Sequence, residues 1–186
     1  MIMKRISFNS PVVLTFTIVS ALVLLLNYLT GGISNALLFS VYKGSLLDPL
    51  FYVRLFGHVL GHANLEHYAS NMILFLLVGP LLEEKYGSKK LVFIIMLVAL
   101  VTGIIHILLP GNSMLLGASG VDFALIILAS ITGAKDNKIP LTLIIVAFIY
   151  ISQQIYQGIF LNDQVSQLTH IVGGCVGGIY GLTNRN

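Results

Sequence analysis

The feature that most constrains this chain is a succession of apolar runs. Wherever a charged cluster ends, the stretch that follows is close to the ~20 residues that cross the hydrocarbon core of a bilayer. Six such segments can be marked, at about 11–30, 65–82, 91–109, 117–133, 139–157 and 166–183. Only 9% of the 186 residues are charged, against roughly 25% in an average soluble domain. The expectation is an all-α, polytopic membrane protein, a single bundle over residues 1–186 with no room for a separate soluble domain. The apolar run from Pro11 to Leu29 follows Lys4 and Arg5 as a signal peptide would, but it is span-length and lacks a small-x-small cleavage site. It is therefore read as a retained first helix. The net charge of +3 sits in loops and is no nucleic-acid footprint. A single cysteine, Cys175, excludes an intrachain disulfide.

Basic residues set the expected orientation. With a cytoplasmic N-terminus, Lys4, Arg5, Lys85, Lys89, Lys90, Lys135, Lys138 and Arg185 fall inside, leaving only Lys43 and Arg54 outside. That asymmetry places both termini in the cytoplasm. The segment 31–64 holds no plain span, yet carries apolar patches around Leu37 and Phe51. It is expected to lie partly in the outer leaflet as short interfacial helices.

Spans two, four and six all start on the outer side under this topology, and each carries a polar residue near its start: His67, Ser119 and His170. At about 1.5 Å per residue, a group three to five residues into a helix sits on the order of 5–8 Å below the surface. Three helices thus present reactive groups at one depth, and ionisable side chains in lipid are functional candidates. A serine hydroxyl needs a base to become nucleophilic and donors to hold the oxyanion that forms. Gly117 and Gly120 leave space around Ser119. Such a stretch also serves helix packing in many membrane proteins, so its partners decide. His170 is followed on its own face by Gly173, Gly177 and Gly181, which allows close approach to another backbone and puts its imidazole in reach of Ser119 as a base. The alternative is a glycine zipper with an incidental histidine. His67 and Asn71, four apart, share a face of span two, where they serve either as oxyanion donors with the Ser119 N–H or as interhelical glue.

Arg54, His67-x-x-x-Asn71, Gly117-Ala118-Ser119-Gly120 and His170-Ile171-Val172-Gly173 with Gly177 together resemble the rhomboid family of intramembrane serine proteases, in its minimal six-helix form. The resemblance implies a Ser119–His170 dyad without a triad acid, an oxyanion site at His67, Asn71 and the Ser119 N–H, and a role for Arg54 in fixing the first loop. It implies no cofactor, and transmembrane proteins as substrates, cut in or near their outer membrane segment. The location expected is the plasma membrane of a prokaryote. A catalytically inactive relative that binds transmembrane helices is the alternative.

Three positions depart from the family pattern. Val53 stands where a tryptophan is expected, and Phe123 where tyrosine is usual; a phenyl ring can still pack against the imidazole but cannot hydrogen-bond. Asp122 adds a carboxylate one turn beyond Ser119 on the same helix, a poor place from which to orient His170. It is either neutral or bonded to a neighbour; facing lipid, it would compromise the helix. His58, His62, Glu66 and His67 invite a zinc reading, but the His-Glu-x-x-His pattern is missing, so no metal is assigned and the first two are expected to pack the base of the loop. His106 is expected at the interface, Glu83 as a cap or bridge between helices, and Cys175 as a small packing residue.

Overall fold

The structure is a computed structural model that describes residues 7–132, 141–142, 144–145, 148–149, 152 and 164–184. Its named elements are α1 (Pro11–Leu29), α2 (Ile33–Leu38), α3 (Pro49–Gly57), α4 (Leu65–Tyr86), α5 (Ser88–Leu108), α6 (Ser119–Thr132) and α7 (Gln164–Thr183). No strand occurs among the described residues; one antiparallel bridge joins Val41 to Leu115. The predicted segment 139–157 lies mostly outside the described residues.

Among the described residues, three helices, α1, α4 and α5, are long and apolar enough to cross a membrane. The central helix is α6, whose Val121, Ala124, Leu125 and Leu128 are fully buried against α4, α5 and α7. It has 14 residues, and at about 1.5 Å each it spans roughly 21 Å of a ~30 Å hydrocarbon core. Segment 31–64 forms two short helices as expected. Asp48 caps α3 by accepting from the Leu50 N–H, and its carboxylate meets Arg54 at 2.8 Å. Arg54 is buried, lies over the Tyr42 ring at 4.5 Å, and holds the Asp48 carboxyl below the usual carboxylate range. Val53, in place of tryptophan, points outward.

Glu83 is the bridge that the sequence suggests. Its carboxylate accepts from the Val12 and Val13 N–H groups and from the Ser88 hydroxyl, tying the starts of α1 and α5 to the end of α4. Two otherwise unpaired N-terminal N–H groups are thereby satisfied by a charge of the favourable sign. Glu83→Ala is expected to cost about 2–4 kcal/mol, because charge-assisted bonds at a buried site are lost together. Thermal unfolding in detergent against the wild type measures this, and an unchanged melting temperature would contradict it.

Two expectations are corrected. Cys175 is exposed, because the glycine face of α7 turns it away from α6. His106 is buried, and its Nε2 donates to the Ser113 carbonyl at 2.9 Å, so it pins the loop before Ser119 and is not an interfacial side chain.

Candidate active site

The site forms where α6 and α7 meet without side chains between them. A Cβ on Gly173 would collide with the backbone of Gly120, and one on Gly177 with the backbone of Ala124. These four positions let the two backbones touch, as small residues do between membrane helices. One turn before Gly173 on the same face, His170 is delivered to Ser119. Ser119 Oγ and His170 Nε2 are 2.6 Å apart and hydrogen-bonded. The Phe123 ring lies 5.4 Å from the imidazole, centre to centre, so the phenyl ring does pack where the sequence suggests.

Ser119 is the first residue of α6, not several residues into it. The non-helical segment 112–118 leads into it. Besides the His106 bond to Ser113, two ties hold that segment. Val41 and Leu115 exchange N–H···O bonds at 2.9 Å each, and the Gly117 N–H donates to the His58 carbonyl at 2.9 Å. Gly117 has φ +122°, a conformation that disfavours any residue with a Cβ.

Gly117 also brings the third piece into place. A Cβ here would lie 2.7 Å from His67 Nε2 and 3.5 Å from Asn71 Nδ2. Both side chains therefore converge on the backbone beside Ser119. Asn64 starts α4 by accepting from the His67 N–H at 2.8 Å, which fixes where that first turn points. His62, expected only to pack, orients Asn71. His62 Nδ1 donates to the Leu60 carbonyl at 3.1 Å, which leaves Nε2 to accept from Asn71 Nδ2 at 3.0 Å. The nine-residue offset crosses the start of α4, so no helical period relates the pair in sequence.

His58 is buried and donates from Nε2 to the Ala99 carbonyl at 3.1 Å. Behind the pair, His58, Thr102, Thr169, Ser119 and His170 line a cavity of about 10 Å³, close to the smallest space a water molecule needs. Asp122 is 1% exposed, so it does not face lipid, and neither carboxylate oxygen has a hydrogen-bond partner among the described residues.

Burial pushes both His58 and His62 down to about 4. Both are neutral in the folded protein at pH 7. Acidification below the ordinary value near 6.5 loads protons on the unfolded chain that the folded one refuses, so stability is complete above about 6.5 and declines toward 4. The melting temperature in detergent is expected to fall between pH 7.5 and pH 5, and a flat profile would show that these rings are not held neutral.

Residues 50–186 match the Rhomboid domain family. The chain is also 30% identical over 138 residues, 69% of its length, to the Rhomboid-related protein 1 of Caenorhabditis elegans, and the match covers 38% of that relative. Arg54, His67, Asn71, Ser119 and His170 all fall inside the family match. This integral membrane protein belongs to the rhomboid family.

Proposed function

We propose that the protein is an intramembrane serine endopeptidase that cuts transmembrane segments of other membrane proteins through a Ser119–His170 dyad. The observation that carries this is the 2.6 Å contact between Ser119 Oγ and His170 Nε2 at the start of α6. In the tautomer with its proton on Nδ1, the imidazole accepts the hydroxyl proton as Ser119 attacks the scissile carbonyl. It then returns that proton to the departing amine. An acyl-enzyme results, and water hydrolyses it with His170 again as base. The cavity beside Thr102 and His170 would seat such a water.

Charge on the tetrahedral oxygen is held by the Ser119 N–H, Asn71 Nδ2 and His67 Nε2, the groups gathered around Gly117. Asp122 is not assigned a part in orienting His170. Asn71→Ala is expected to lower kcat by about 10²-fold or more with little change in KM, since the bond it supplies exists only in the transition state. His62→Ala should move kcat in the same direction by a smaller factor, because it frees the amide without removing it. A rise in KM alone would remove Asn71 from this role.

Six spans with both termini cytoplasmic fit the distribution of lysine and arginine, and put the start of α6 near the outer face. Segment 31–64, with α2 and α3, would then lie in the outer leaflet. The test is cleavage of a single-span reporter protein in liposomes. Two fragments, with the cut mapped to the outer part of the reporter's span, are expected. A reporter that co-purifies with the protein but stays intact would favour an inactive binder instead.

A further inference from the structure

The turn that joins α3 to α4, residues 58–64, touches both side chains assigned to the oxyanion. His62 Nε2 accepts from Asn71 Nδ2 at 3.0 Å, and the Ala63 N–H donates to His67 Nδ1 at 3.5 Å. Because His67 Nδ1 accepts, the proton of that ring sits on Nε2, the atom beside Gly117. The turn is held in its own right by a residue of α2. Asn35 donates from Nδ2 to the His62 carbonyl at 2.9 Å. That carbonyl and the Ala63 N–H belong to one peptide unit, which is planar and trans, so its C=O and N–H point in opposite directions. An amide that holds the oxygen therefore aims the hydrogen at His67. The end of α2 also presses on the turn, since a Cβ on Gly61 would collide with the Phe39 carbonyl. Helix α2 packs on α1 and α3 rather than on α4, so the turn is its route to the site.

We propose that Asn35 is a positioning residue for peptide cleavage, holding the His62–Ala63 peptide so that His67 and Asn71 face the oxyanion. For its effect on rate this rests on the oxyanion site proposed above. Packing does not explain the choice of residue. Asn35 is 6% exposed, and its Oδ1 is buried with no hydrogen-bond partner among the described residues. A buried unpaired oxygen is a cost that a leucine, of similar size, would avoid. What leucine cannot supply is the N–H for the His62 carbonyl. Asn35→Leu removes one unpaired oxygen and frees another, so stability is expected to stay nearly level while the aim of the peptide is lost.

Asn35→Leu tests this in the full chain, by cleavage of a single-span reporter in liposomes and by nitrogen NMR in detergent. The expected fall in kcat is about tenfold, the loss that a shift of a fraction of an ångström near the reacting groups brings. KM should stay within about twofold, since the bonds concerned form only in the transition state, and the melting temperature should hold. In an Asn71→Ala background the same change should cost about threefold or less, because His67 alone is left to misplace. The signals of His67 Nδ1 and of the Asn71 side-chain amide are expected to move, while those of His106 stay. Unmoved signals at His67 and Asn71 would overturn the proposal. So would a loss in kcat that multiplies in full with that of Asn71→Ala, or a fall in melting temperature that accounts for it. Moved signals in a protein whose wild type cuts no reporter would uphold the placement by Asn35 and count against the peptidase reading alone. If the leucine variant fails to fold, Asn35→Gln, which keeps the amide but displaces it by one methylene, is read by the same signals and the same double-variant comparison.

Discussion

Exchanging His170 for asparagine is expected to lower cleavage of a reporter substrate by about 10⁴-fold or more, with the protein still inserted and folded. The imidazole is the only base within reach of the Ser119 hydroxyl among the described residues, at 2.6 Å. Without it the attacking group is a neutral alcohol, and the departing amine has no proton donor. Groups that act as one unit are not additive. Ser119→Ala should therefore cost about as much, and the double variant hardly more than either alone. Single-turnover cleavage in liposomes measures all three. Substantial activity in either single variant, or losses that multiply in the double, would place the chemistry elsewhere.

The second large effect is expected from a change that touches neither reactive group. Gly173→Ala adds one methyl carbon, and that carbon meets the carbonyl, carbon and Cα of Gly120. Backbone cannot rotate aside as a side chain does, so α6 and α7 must separate by about an ångström, at an overpacking cost of roughly 1–3 kcal/mol. Displacement of that size at a reacting pair costs about 10²-fold in rate. Gly181→Ala provides the contrast, since its added carbon meets side chains and no backbone: Leu128 Cδ1, Ile131 Cδ1 and Ile131 Cβ at 3.0–3.3 Å. The two δ-methyl groups can swing away and the Ile131 Cβ need give only a few tenths of an ångström, and the position lies about three turns from His170. Cleavage rates and melting temperatures of the two variants should diverge sharply. Equal effects would mean that the glycine face does not set the distance between Ser119 and His170.

Much of this was legible in sequence because it follows from spacing along single helices. The offsets from His170 to Gly173, Gly177 and Gly181 mark one face, and that face does lie on α6. Likewise His67 and Asn71 share one side of α4, and both reach Gly117. What spacing could not reveal depends on contacts between distant segments. The start of α6 at Ser119 is set by ties from Leu115 to Val41 and from Gly117 to His58, none of which leaves a periodic trace. His62 holds Asn71 from outside the helix that carries it. His106 is apolar-helix context in sequence, and only its bond to the Ser113 carbonyl shows why it is buried. Asp122 has no account in these contacts.

The central claim is that the approach of α6 to α7 turns an ordinary serine into a nucleophile. Labelling of the purified protein by a fluorophosphonate probe tests it most directly, because the probe reacts only with an activated hydroxyl and needs no knowledge of the substrate. Wild-type protein is expected to take one label, mapped to Ser119, and to lose it in both Ser119→Ala and His170→Asn. Label that persists without His170, or a folded wild-type protein that takes none, would contradict the account.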